Sequence, residues 1–213
     1  VMAIDGAGTS VSEDIREVVP LDFPISSFDL ELPQIQKTVQ GLNPVREVDV
    51  RLQPGGVLQV TVDERKTAAL WRTHDGLFRI DEEGVYIGLA LERSDYPSLP
   101  VLAGDGADSA VQEAQDLMKV AAPLGSRLKG LVRMGARRWD VVLDRDQRIM
   151  LPEEGAVRAL ERVIALSQAQ DVLARDLAAV DMRLTTRPTI RMNTPAVAEW
   201  WRIQQLTDTG TTE

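Results

Sequence analysis

Between Val48 and Trp71 the chain alternates apolar and polar residues, turns through Pro54-Gly55-Gly56, and alternates again. Val48, Val50 and Leu52 fall on one face, with Asp49, Arg51 and Gln53 on the other; past the turn, Leu58, Val60 and Val62 repeat the pattern against Gln59, Thr61 and Asp63. Two runs of period two joined by a glycine pair make a half-buried β-hairpin. What precedes it is a short apolar stretch, Val1 to Ile4, followed by two helical segments, so the first third reads β-α-α-β-β. Ser10 and Ser12 are placed to cap a first helix from about Glu13 to Val18. The second helix carries Leu32, Ile35, Val39 and Leu42 as the stripe that lies on a sheet, and Gly41 and Pro44 bound its end.

Beyond the turn residues Thr73-His74-Asp75-Gly76, Phe78 to Leu91 reads as strands and Ser94 to Gly106, rich in Pro, Gly and Asp, as loop. Ser109 to Ala122 is expected to be helical, ended by Pro123 and Gly125. Leu128 to Met134, Arg138 to Leu143 and Arg148 to Leu151 read as a meander of antiparallel strands. A long helix follows Pro152-Glu153-Glu154, a second helical stretch reaches about Leu177, and two strands, Val180 to Thr185 and Arg187 to Asn193, close the fold. The polar segment from Thr207 to Glu213 is expected to be disordered.

Among 213 residues, 44% are hydrophobic and 4% aromatic, which predicts ordinary cores built from aliphatic side chains. A net charge of -9 argues against nucleic acid as a partner, because phosphate binding needs a concentrated positive surface. No window approaches the roughly 20 apolar residues of a spanning helix. The chain opens at Val1 inside what reads as a strand, so it is expected to be an excised piece. With no cysteine, disulfides and thiolate metal sites are excluded.

No constellation supports catalysis, a cofactor or a metal. His74 is the sole histidine and sits in turn chemistry, so it reads as a loop residue rather than a relay. The pairs Asp63-Glu64, Glu82-Glu83 and Glu153-Glu154 are adjacent, which in strands sends the two carboxylates to opposite faces; they read as solvated faces, turn residues and a helix-start charge. Gly104-Asp105-Gly106 lacks the Lys and Thr of a phosphate loop. Arg133, Arg137 and Arg138 form the densest basic cluster, read as strand residues with local ion pairs. A hydrolase would need Asp140 or Asp144 brought against a distant carboxylate.

Binding therefore falls to surfaces. A final strand commonly sits at a sheet edge, and Pro188 supports this, since proline cannot donate to a ladder. Thr186, Arg187, Pro188, Thr189, Ile190, Arg191 and Met192 would then template an added strand. On the residues alone the competing reading, an edge merely shielded by Pro188, the arginines or the tail, stands ahead. Trp200-Trp201, in the short helical run Ala196 to Leu206, is a second candidate, as a partner anchor or as packing against the sheet.

The element order, with Glu64-Arg65 followed by Ala69 and Trp71, resembles the polypeptide-transport-associated (POTRA) domain of the FtsQ/DivIB family of bacterial cell division proteins. The likeness continues through Ile80-Asp81 to Gly84, Leu99-Pro100 to Gly104, Arg137-Arg138-Trp139, Ile149-Met150-Leu151-Pro152 and Val180-Asp181-Met182-Arg183, five fragments in order. The resemblance implies an α+β protein: a POTRA domain over residues 1–72, a β-rich domain over 73–195 with an antiparallel sheet flanked by helices, and a partly disordered tail over 196–213. It further implies a non-catalytic divisome scaffold in the periplasm, anchored in the cell inner membrane by one span preceding this chain. FtsB and FtsL would be held on the last strand, with Leu184 falling in the same region, and other septal cell-wall synthesis proteins would meet the POTRA surface. The alternative role is a POTRA-type chaperone or binding module of protein transport, favoured by tandem POTRA domains or a barrel; a peptidoglycan hydrolase ranks behind both.

Overall fold

A computed structural model of the chain describes residues 1–20, 30–184 and 187–193. The hairpin forms as its alternation requires: β2 (Val45–Gln53) and β3 (Val57–Glu64) pair antiparallel, with Val48 opposite Val62, Val50 opposite Val60 and Leu52 opposite Leu58. The first strand, β1 (Met2–Asp5), runs parallel to β3 on its free side, so the order is β1-β3-β2. Helices α1 (Thr9–Val18) and α2 (Leu32–Gln40) cover this small sheet and bury Ile15 and Val39 against Leu58 and Val60. Pro33 sits in the first turn of α2, where its missing N–H is not needed, and Gly41 closes the helix.

The start of α1 corrects the sequence expectation. The helix begins at Thr9, Gly8 stands at the cap without a side-chain bond, and Ser10 lies inside the helix. Ser12 Oγ instead donates to the Ala7 carbonyl at 3.4 Å. A carboxylate distant in sequence serves this end: Glu64 Oε2 accepts the Gly8 N–H at 2.8 Å. An acceptor supplied by β3 does the work of a local cap for an otherwise orphaned donor.

Among the described residues the second sheet has nine strands: β4 (Ala69–Arg72), β5 (Leu77–Ile80), β6 (Tyr86–Leu89), β7 (Val101–Ala103), β8 (Leu128–Met134), β9 (Arg138–Leu143), β10 (Arg148–Met150), β11 (Leu177–Asp181) and β12 (Thr189–Met192). Their spatial order is β12-β11-β10-β9-β8-β7-β4-β5-β6. The sheet is mixed rather than wholly antiparallel, because β4/β7, β7/β8 and β10/β11 pair parallel. Two of these crossovers carry helices, α3 (Val111–Ala121) between β7 and β8 and α4 (Ala156–Gln170) between β10 and β11. A parallel neighbour needs such a long return, which a tight turn cannot supply.

Three further boundaries differ from the sequence reading. Ala69–Arg72, which that reading groups with the first unit, hydrogen-bonds into the second sheet, so the change of sheet falls between Glu64 and Ala69. The expected loop from Ser94 to Gly106 contains β7, in the interior of the sheet. The second helical stretch, expected to reach about Leu177, is only a short 3-10 turn: α4 stops at Gln170, Asp171 turns with φ +52°, the 3-10 turn covers Val172–Ala174, and Leu177 opens β11.

α3 and α4 pack together on one face, over a core that includes Leu131, Trp139, Val141, Ile149, Leu160 and Val180. Two glycines of the motifs are fixed by close approach. Gly84 has φ +82° and a Cβ there would stand 2.0 Å from the Asp108 carbonyl oxygen; Gly104 has φ +90° and its Cβ would stand 2.1 Å from that of Arg133. Neither position admits a side chain without moving backbone.

A second pair of motif residues joins the sheets. Arg65, just past β3, places Nη1 2.6 Å from Asp81 Oδ2, and both side chains are largely buried. The other Asp81 oxygen accepts the N–H groups of Glu83 and Val85 at 2.9 and 2.8 Å, fixing the turn between β5 and β6. Outside this pair Arg46, on β2, bonds Glu82 and Glu83 at 3.4 and 2.9 Å.

Candidate functional site

The last two strands build the site. β11 buries Leu177, Ala179 and Val180 and is held on its inner side by β10. β12 pairs antiparallel with its outer side, Val180 opposite Ile190, Ala179 opposite Arg191 and Asp181 opposite Thr189, with a bulge between Leu177 and Ala179. Among the described residues β12 has no second neighbour, so its outer N–H and C=O groups are unpaired there. Asn193 anchors the end of the strand, its N–H 3.4 Å from the Asp176 carbonyl and Nδ2 2.5 Å from Asp176 Oδ1.

Cross-strand pairing gives the margin two chemically different faces. Ile190 and Met192 share the face of Val180 and Leu177, yet Ile190 is 46% exposed. Thr189 and Arg191 share the opposite face with Asp181. There Arg183 closes a fork on Asp181, Nε at 2.9 and 3.0 Å and Nη2 at 2.5 Å. The fork holds the Asp181 carboxyl below the ordinary range. Asp181, Arg183, Leu184, Arg187 and Thr189 enclose a shallow hollow at the foot of β12.

Of the sequence-predicted residues, Thr189, Ile190, Arg191 and Met192 form β12, Pro188 and Arg187 precede it exposed, and Leu184 is exposed in the turn from β11. The structure brings these together at one edge. Thr186, Trp200 and Trp201 lie outside the described residues.

The candidates for chemistry resolve into structural roles. Arg133 pairs with Glu113 on α3 and lies over the Trp139 ring, 5.0 Å from its centroid, while Trp139 Nε1 donates to Glu113 at 3.1 Å. Those bonds, the one from Arg133 foremost, hold the Glu113 carboxyl below its usual range. Asp144 accepts from Arg127 Nε at 3.0 Å. Asp140 is buried with both oxygens unpartnered among the described residues and Arg148 Nη1 3.9 Å away. Burial pushes its carboxyl up, against the pull of Arg138 and Arg148. Its neighbour Asp181 is already committed to Arg183, so the two carboxylates do not make an acid-base pair. Exposed His74 lies 3.1 Å from Asp75 Oδ1. Among the described residues no three of His, Cys, Asp or Glu gather as a metal site.

The sequence matches the family model described as "Cell division protein FtsQ/DivIB, C-terminal" over residues 69–183, from the first strand of the nine-stranded sheet to the Arg183 fork. The chain belongs to the FtsQ/DivIB family. It is 51% identical to the cell division protein FtsQ of Roseobacter litoralis over 205 residues, covering 96% of this chain and 70% of that protein. The FtsQ of Dinoroseobacter shibae is 47% identical over 207 residues, with 97% and 70% covered. That of Rhizobium meliloti is 29% identical over 194 residues, with 91% and 62% covered. As an FtsQ/DivIB member the chain is a non-catalytic cell division protein, part of the divisome. No helix of its described residues is long and apolar enough to cross a membrane. The family match stops at Arg183, so β12 follows the matched region.

Sequence reasoning missed the other margin of the sheet, β6. It recognised strands in that stretch, but their place depends on β7 docking beside β4, a pairing made across some thirty residues of chain with no local signal.

Proposed function

We propose that the chain holds FtsB, and through it FtsL, by strand addition to β12, on the periplasmic face of the inner membrane at the septum, with one membrane span preceding the sequence in the full-length protein. The observation that carries this reading is the outer side of β12, unpaired among the described residues, next to two contrasting faces. An incoming strand would take affinity from main-chain hydrogen bonds and choose its register with alternate side chains. Apolar residues would cover Ile190 and Met192; polar or acidic ones would meet Arg191, Arg187 and the Arg183 fork. Pro188 marks the N-terminal limit of the ladder, because it donates no hydrogen bond.

The test is capture of the periplasmic part of FtsB by the wild-type chain and by Ile190→Glu and Ile190→Pro variants, the backbone of Ile190 being the one that alternation turns outward. Both variants are expected to lose at least about tenfold in affinity while unfolding at the wild-type midpoint, as exposed edge substitutions do. Unchanged capture by both, with the fold intact, would refute strand addition at β12.

A further inference from the structure

We propose that β6, at the far edge of the same sheet, adds an extended segment of a second partner protein, one that alternates apolar and basic residues. This inference does not depend on the reading of β12.

β6 is paired with β5 alone among the described residues. The bond Ala90 N–H to Leu77 O fixes its inner side at this end, which by antiparallel alternation turns the backbone of Leu89 outward; a bulge at Ile87 shifts the register before Asp81 N–H meets Val85 O. Edges normally carry charge or proline against unwanted pairing. Here the run is apolar: Leu89 is 54% and Leu91 88% exposed, with Val85 and Tyr86 exposed beside them.

The two faces of the margin differ, and together they describe the occupant. On one face an aromatic row crosses the strands, Trp71 to Phe78 at 6.5 Å and Phe78 to Tyr86 edge-on at 5.5 Å, and ends at the open side with nothing beyond Tyr86 and Leu89 among the described residues. Apolar side chains of an added strand would continue that row. The opposite face borders a groove of about 510 Å³ between β6 and the first unit, walled by α1 and the turn at Leu42. Its charged lining is Asp14, Glu64 and Asp95 against the one guanidinium of Arg79. Arg79 lies flat across Gly88, where a Cβ would stand 2.9 Å from Nη2, and its buried Nε has no acceptor among the described residues. A backbone carbonyl of the incoming strand would meet Arg79, and basic side chains would meet Asp14 and Asp95.

Charge also selects against a second copy of this chain. Pairing two β6 edges would set acidic groove against acidic groove in a molecule that already carries -9.

The test uses a fluorescein-labelled eight-residue peptide alternating valine and arginine, with the full chain, in fluorescence anisotropy. Three other probes accompany it: the valine-glutamate counterpart, an arginine peptide N-methylated at alternate amides, and the chain alone in sedimentation. The arginine peptide is expected to bind at least tenfold tighter than both modified peptides. Leu89→Arg is expected to weaken it at least tenfold, the Asp14→Asn, Asp95→Asn double variant to weaken it by a smaller factor, and Ile190→Pro to leave it unchanged. Circular dichroism establishes that each variant is folded. Equal binding of the N-methylated peptide would reduce the effect to bulk charge and overturn the proposal. So would loss with Ile190→Pro but not Leu89→Arg, equal binding of the glutamate peptide, or dimerisation broken by Leu89→Arg without peptide binding.

Discussion

The nine-stranded sheet ends in two margins of opposite chemistry. β12 is introduced by Pro188, carries Arg187 and Arg191, and stands next to the Arg183 fork. β6 has no proline, holds Gly88, and exposes Val85, Tyr86, Leu89 and Leu91. Charge and proline keep the first margin soluble while leaving its backbone accessible, so selectivity there lies in side-chain pattern. The second margin is bordered by another structural unit, so part of its protection comes from the groove wall that α1 supplies. An edge strand can thus be managed by its own side chains or by what stands beside it, and this chain uses one device at each end.

The comparison breaks most completely when the shared centre is lost. Trp139→Ala removes a fully buried ring with its bond to Glu113 and its contact under Arg133, and is expected to cost about 3–5 kcal/mol in urea unfolding and to abolish binding at both margins together. Next in size is Arg65→Met, which leaves the buried Asp81 carboxylate without its counter-charge. A loss of about 3 kcal/mol is expected. Because Asp81 fixes the turn before β6, hydrogen exchange in that variant should rise at Val85 to Leu89 before it rises at β12.

Two aspartates sharpen the contrast through pH. The Asp140 carboxyl is raised by burial, so the folded state holds its proton longer than the unfolded chain does. Stability contributed here falls as pH rises from the ordinary carboxylate range through the folded value, and the penalty is complete above it. Asp140→Asn is therefore expected to be at least as stable as wild type at pH 7, by up to about 1 kcal/mol, with the difference closing in acid. Asp181 runs the other way: its depressed carboxyl gives stability that is present above the unfolded value and lost as pH falls through the folded one. Asp181→Asn should show the smallest effect, a slight loss at neutral pH that disappears in acid, read from thermal midpoints across the pH range.

The parts of this molecule governed by local pattern could be read from its sequence. The hairpin follows from strict alternation around Pro54-Gly55-Gly56, α2 from its apolar stripe and Gly41, and the edge position of β12 from Pro188. What could not be read depends on distant partners. Val101–Ala103 is three residues between Pro100 and Gly104, which has the composition of loop, and becomes strand because β4 and β8 bracket it. The cap of α1 comes from Glu64, 56 residues further along the chain. The Val172 to Leu177 run is apolar enough for helix, but Asp171 turns left-handed and the run breaks into a short turn and β11. At the candidate site the strand was legible, and its alternation already sorts Ile190 and Met192 from Thr189 and Arg191; which residues of β11 those side chains lie against was not, because it depends on a bulge in β11.

The nine-strand order also sets a length. With neighbouring strands about 4.8 Å apart, β12 and β6 stand on the order of 40 Å from one another along the sheet. Two occupants that far apart would not compete for space, so a ternary assembly of one chain with two different clients should form with unchanged individual affinities, the sheet serving as a rigid spacer that fixes how far apart they work.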